Sequence, residues 1–124
     1  MKFRYLLVLI ILLASDANAD GSVCYGVTSH GRLEGGVKLP SEGKNFVSYS
    51  TSAEILGRTY VHSKVGEIVV AAYELLETNK PKNVFKYAES GFKEGGQFRP
   101  HKTHQNGLSV DFIVPVIDKH GKSV

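Results

Sequence analysis

Three residues of types that bind transition metals lie within one short segment of the sequence: His101, His104 and Asp111. Histidine nitrogens and carboxylate oxygens are normal zinc ligands. Asp111 lies between Val110 and Phe112, where a carboxylate is costly to bury unless a positive charge meets it. That charge could be a metal ion or an arginine, and spacing alone does not separate the two. The residue types therefore predict either a metal site or a turn histidine beside a structural ion pair.

A half-buried strand is predicted to carry Asp111. Apolar residues alternate with polar ones in this segment, at Leu108, Val110, Phe112 and Val114. The alternation places Ser109 and Asp111 on the opposite face. Asn106-Gly107 offers a turn just before the strand, and His104 lies in that turn region. Ser109 has no adjacent base in the sequence, so we do not predict a serine nucleophile.

One long amphipathic helix is predicted over residues 63–78. Its apolar residues recur at three- and four-residue spacing: Val65, Ile68, Val69, Ala72, Leu75 and Leu76. Short strands are predicted at 45–49 and 84–89. The glycine-rich stretch 20–57 is interpreted as otherwise irregular. These elements predict an α+β fold in which one main helix packs on a mostly antiparallel sheet.

The amino-terminal residues have the three-part pattern of a cleavable signal peptide. Lys2 and Arg4 precede an uncharged apolar run at 5–14, and Ala17-Asn18-Ala19 matches the small-x-small pattern of a cleavage site. The run is about half of the ~20 residues that a membrane-spanning helix needs. We therefore expect a signal peptide at 1–19, export, and a mature domain at 20–124 with no stable membrane anchor.

Composition favours a modest globular domain and argues against nucleic acid as a partner. The chain has 15 basic and 12 acidic residues, a net charge of +3, and the charges are interspersed. Cys24 is its single cysteine. In an oxidising compartment, a lone cysteine indicates a missing disulfide partner or a free thiol, and a small buried residue is an equal alternative.

Three stretches resemble the penicillin-insensitive murein endopeptidase family, in the lysostaphin and D-Ala-D-Ala peptidase group of zinc enzymes. The first contains CYG at 24–26, GRLE at 31–34 and GVKLP at 36–40. The second is LGRTYVH at 56–62, and the third is PHKTHQNGLSVDF at 100–112, in which six residues separate a histidine from an aspartate. The resemblance implies a periplasmic zinc metalloendopeptidase that hydrolyses D-alanyl–diaminopimelyl cross-links of peptidoglycan.

The resemblance also implies roles for the residues at matching positions. His104 and Asp111 would be two ligands of the catalytic zinc, and His101 would contribute to a second metal site nearby. Cys24 would match a cysteine whose disulfide partner lies in a part of the family's domain that this chain does not contain. Arg99 orients the site or binds a substrate carboxylate, or it is a plain surface residue.

The chain departs from the family pattern in one respect. Enzymes of this group complete the zinc site with a histidine from a His-x-His pair, and that pair is absent from the 124 residues. Asp118 to Gly121 has hairpin-turn chemistry, yet only three residues follow it.

We therefore expect a partial endopeptidase domain with no catalytic residue beyond the metal ligands. A non-catalytic wall-binding module and an inactive remnant are the alternatives. His62 either lies near the site or is a surface histidine at a helix start.

Overall fold

The computed structural model describes residues 21–80, 82–114 and 118–120. The predicted signal peptide lies outside the described residues, as does Gly121 of the predicted hairpin turn. The described strands are β1 Val23–Val27, β2 His30–Glu34, β3 Val37–Lys38, β4 Phe46–Ser48, β5 Tyr60–Val61, β6 Phe85–Tyr87 and β7 Phe112–Ile113. The helices are α1 Thr51–Ile55 and α2 Ser63–Asn79. In the described ranges, no helix has the length and apolar character needed to cross a membrane.

The α+β class with one main helix is confirmed, and its strands form three small sheets. β1 pairs with β2 and β3 with β5, in both cases antiparallel. The third sheet has the order β4-β6-β7, in which β4 and β6 are parallel and β6 and β7 antiparallel. The predicted strands at 45–49 and 84–89 correspond to β4 and β6. Antiparallel pairing predominates, as predicted.

The hairpin of β1 and β2 corrects the prediction that 20–57 is mainly irregular. Gly26 takes a φ of 70°. A Cβ added there would collide with the backbone carbonyl oxygen of His30 across the hairpin. Glycine therefore permits close strand approach at this position instead of marking a loop. The prediction was wrong because glycine is frequent both in loops and where two strands approach closely.

Helix α2 confirms the predicted main helix, but only part of the predicted apolar face is buried. Its buried residues are Gly66, Val69 and Tyr73, whereas Ile68 and Leu75 are each 66% exposed. Two apolar stripes lie side by side on this helix, and the one centred on Val69 and Tyr73 faces the sheet. The apolar spacing along the helix does not show which of the two stripes is buried. That choice depends on the aromatic partners of Tyr73, which come from distant parts of the chain.

The core joins α2 to the sheets through six buried side chains: Leu39, Phe46, Val61, Val69, Tyr73 and Tyr87. The rings of Phe46 and Tyr73 stack with centroids 4.5 Å apart and planes 13° apart. The Tyr87 hydroxyl donates a hydrogen bond of 2.8 Å to the Pro40 carbonyl oxygen. Burial raises the pKa of Tyr87 to about 12, so this phenol stays neutral.

The strand predicted around residues 108–114 is shorter than expected, because the ladder is regular only at β7. Leu108, Phe112 and Val114 are exposed, while Val110 packs against the core. The segment still follows β6, since the Ala88 amide donates to the Asp111 carbonyl and the Asp111 amide donates to the Glu89 carbonyl. These two bonds fix the position of Asp111 relative to the end of β6.

Candidate metal centre

His104 is buried in the loop between β6 and β7 with an unusual backbone conformation. It is 2% exposed. Its φ of 73° is the one positive φ at a non-glycine residue in the described part of the chain. Such a conformation costs on the order of 1–3 kcal/mol and persists only where the surroundings impose it. Here the adjacent Gln105 amide is tied to the Thr28 carbonyl at 2.9 Å. Strain of this kind is concentrated at functional sites.

The hydrogen bonds of His104 determine which ring nitrogen is available as a ligand. Nδ1 lies 3.1 Å from the Ser90 carbonyl oxygen. A carbonyl oxygen only accepts, so Nδ1 carries a proton. Nε2 lies 3.4 Å from Asp111 Oδ1. In the neutral ring, the Nε2 lone pair then faces a carboxylate oxygen. A proton shared between the two groups or a cation between them would make that arrangement favourable.

His101 lies beside His104, with ring centroids 5.3 Å apart, and a carboxylate orients it. Its Nε2 is 2.7 Å from Glu89 Oε2. Nε2 therefore donates to Glu89, and Nδ1 keeps its lone pair. A bond from one ring nitrogen to a carboxylate is the usual companion of metal binding by the other.

Glu89 is in turn held by Arg58. The guanidinium bonds both carboxylate oxygens, through Nε to Oε1 and through Nη2 to Oε2 at 2.9 Å. Hydrogen bonding and charge from Arg58 hold the pKa of the Glu89 carboxyl below its usual value. The guanidinium also stacks 3.9 Å from the centroid of Phe98, which is fully buried. Glu89 is therefore a charged, fixed acceptor for His101.

The cluster has the donor set and nearly the spacing of a zinc site. One ligand atom each from His101, His104 and Asp111 lies within 4.8 Å of the others. Two donors bonded tetrahedrally to one zinc ion are about 3.4 Å apart. The His104–Asp111 separation of 3.4 Å meets that value, and His101 lies within the 4.8 Å limit of both. The Asp111 side chain is 46% exposed, which leaves the cluster open to solvent.

The structure brings three of the predicted site residues together, places Arg99 beside them, and leaves Cys24 apart. Arg99 is exposed and lines a hollow that also contains His101. Cys24 lies on β1 opposite Leu33, as a free thiol away from the cluster. The His62 imidazole accepts a bond from the Lys64 amide and so caps α2. The helix-start interpretation of His62 is therefore correct, although its own amide donates to Gly107 next to the loop.

Sequence reasoning missed Arg58, Glu89 and Ser90. Arg58 and Glu89 are 31 positions apart, and nothing local to either one indicates the pairing. Ser90 acts through its backbone carbonyl, so its side-chain type carries no signal. One general rule could have indicated them. The ring nitrogen of a metal-binding histidine that does not bind the metal usually donates a hydrogen bond to a carboxylate or a backbone carbonyl.

We expect Glu89→Gln to weaken zinc binding by about 10-fold, because loss of an outer partner typically costs 10–100-fold in metal affinity. The amide oxygen still accepts a bond from His101, but its NH2 group opposes Arg58. Competition with a chromogenic chelator measures the change. Glu94→Gln, at an exposed position, is the matched control. Equal zinc affinities for Glu89→Gln and the unchanged protein would show that Glu89 does not position His101 as a ligand.

No protein-family model and no curated protein sequence matches this chain. The likeness to murein endopeptidases therefore depends on the three stretches in the sequence.

Proposed function

We propose that this protein is an exported zinc-dependent endopeptidase that hydrolyses D-alanyl–diaminopimelyl cross-links of peptidoglycan in the periplasm. The observation that carries the metal assignment is the buried His104 ring. Its Nδ1 is bonded to the Ser90 carbonyl, and its Nε2 faces Asp111 at 3.4 Å. The substrate is inferred from the resemblance of 24–40, 56–62 and 100–112 to the endopeptidase family.

In this proposal His104, Asp111 and His101 would hold the metal. Three protein ligands would leave it accessible to water or substrate, as in catalytic zinc sites. A bound zinc ion supplies Lewis acidity for peptide hydrolysis at neutral pH. Glu89 and the Ser90 carbonyl hold the two imidazoles in the tautomers that leave one nitrogen of each ring available. Phe98 packs 5.2 Å from the His104 ring and keeps solvent from its side of the cluster.

A non-catalytic peptidoglycan-binding module is the second candidate. The approach of His104 Nε2 to Asp111 Oδ1 at 3.4 Å favours it, since a doubly protonated His104 would form a plain ion pair with Asp111. Both candidates bind peptidoglycan, and only the endopeptidase hydrolyses it.

Incubation of the zinc-loaded protein with a cross-linked muropeptide dimer tests the proposal, with products identified by mass spectrometry. We expect conversion of the dimer to monomers at the D-alanyl–diaminopimelyl bond, stopped by a chelator. A β-lactam should leave the rate unchanged, because no serine is acylated. Asp111→Asn serves as the inactive control. Dimer binding without cleavage would establish the binding module, and neither binding nor cleavage would overturn both candidates.

A further inference from the structure

Two adjoining hollows extend from His101 across the surface to the β1–β2 hairpin. Their volumes are about 640 and 580 Å³, and both are lined by Ser29, Gln97 and Gln105. The shared lining makes them one continuous groove, which we call the hairpin groove. Each half lies in the ~300–1,000 Å³ range of ligand pockets. One half includes His101, so the hairpin groove begins at the metal cluster.

The charged side chains that line the hairpin groove are basic in the described residues. Arg32 lies at the hairpin end, and Arg99 and Lys102 lie at the end near His101. Among the described residues that line the groove, none carries a carboxylate. Glu34 lies just outside and approaches Arg32 at 3.9 Å, but both side chains are well exposed and such a pair is weak. The electrostatic field therefore favours an anionic ligand.

Hydrogen bonds hold the walls of the hairpin groove in a fixed arrangement. The Leu33 amide donates to the Glu94 carbonyl, and the Gly96 amide donates to the Gln105 carbonyl, both at 2.9 Å. Gly95 could not bear a side chain, because its Cβ would collide with the Gln105 carbonyl oxygen. A Cβ at Gly96 would instead meet open space. The wall at Gly96 is therefore bare backbone that an extended chain can approach closely.

The Arg32 side chain is ordered by stacking on an aromatic ring. Its guanidinium lies 3.6 Å from the centroid of the Tyr25 ring, on the neighbouring strand of the hairpin. Stacking of this kind limits the conformations of the side chain, and a ligand carboxylate would compete only with the weak contact to Glu34 for its edge. Ser29, Gln97 and Gln105 supply uncharged donors and acceptors between the two basic ends, as a peptide backbone requires.

We propose that the hairpin groove binds an extended peptide through its free carboxylates, with Arg32 as the distal anchor and Arg99 and Lys102 next to the metal cluster. The inference extends the proposed function, because the groove begins at His101. Binding itself requires neither metal nor turnover.

Binding of a fluorescent diaminopimelate-containing tetrapeptide to the metal-free protein, in a chelator and at low salt, tests the inference. The comparison probe is the same peptide with its carboxylates amidated. We expect the amidated probe to bind at least about 10-fold more weakly. Arg32→Gln and Arg99→Gln should each weaken binding of the free acid by about fivefold. Lys82→Gln, at an exposed position outside the groove, should leave it unchanged.

Equal binding of the two probes, or unchanged binding by Arg32→Gln, would overturn the inference. Tighter binding of a single-stranded oligonucleotide of similar charge would also overturn it, since the groove would then select charge alone. The outcome is independent of the proposed activity. Carboxylate-selective binding without cleavage refutes only the peptidase, whereas zinc-dependent cleavage without selective binding refutes only the groove.

Discussion

Replacing Tyr73 by alanine should lower the free energy of unfolding by about 3–5 kcal/mol, the usual cost of deleting a buried aromatic side chain. Tyr73 is 4% exposed and stacks on Phe46. Its ring also contacts Phe85 of β6 and Phe112 of β7. One side chain thus joins α2 to all three strands of the third sheet. A loss of this size is a large fraction of the 5–15 kcal/mol that is typical of a domain.

Tyr73→Phe is the matched control, and it should be neutral or slightly stabilising. The Tyr73 hydroxyl is buried and has no hydrogen-bond partner among the described residues. Burial also raises the pKa of this hydroxyl. Removing an unsatisfied polar group spares its desolvation cost and leaves the ring contacts intact. Urea unfolding followed by circular dichroism measures both variants. Equal losses for alanine and phenylalanine would show that the hydroxyl, not the ring, stabilises the core.

Replacing His104 by asparagine should abolish stoichiometric zinc binding, with the affinity falling by at least about 100-fold. Loss of an outer-sphere partner already costs 10–100-fold, and His104 is assigned as a ligand itself. Asparagine is chosen because it tolerates the positive φ of this position better than most residues. Its short side chain does not reach the place of Nε2. Isothermal titration of the metal-free protein with zinc measures the change.

Two further variants keep the His104 result interpretable. Asp111→Asn removes a carboxylate from a side chain that is 46% exposed, so the fold should survive. It should reduce zinc affinity to a similar extent. His30→Asn changes an exposed histidine outside the cluster and should bind zinc as the unchanged protein does. Zinc binding that survives in both His104→Asn and Asp111→Asn would place the metal elsewhere.

The sequence predicted the elements with strong local signals. The helix at 63–78 was found to within a residue, since its apolar spacing and its terminating residues agree. The proximity of His101, His104 and Asp111 was also predictable, because all three belong to one segment. Strand lengths were predicted less well. The stretch leading to β7 depends on backbone bonds to Ala88 and Glu89, which local alternation does not show.

Features that depend on distant pairs were not predictable. The buried face of α2 is selected by Phe46 and Phe85, which come from outside the helix. The orientation of His101 depends on Glu89 and Arg58, from separate parts of the chain. No single-sequence pattern reports such contacts. The metal-site residues were therefore predictable by type, whereas the groups that hold them in place were not.

Anomalous diffraction at the zinc absorption edge, from crystals of the zinc-loaded protein, tests the central claim most directly. We predict one strong peak at bonding distance from His104 Nε2 and an Asp111 carboxylate oxygen. His101 Nδ1 should complete the ligand set, with Nε2 still bonded to Glu89. A peak at any other position would contradict the account. So would a direct His104–Asp111 hydrogen bond that persists in excess zinc.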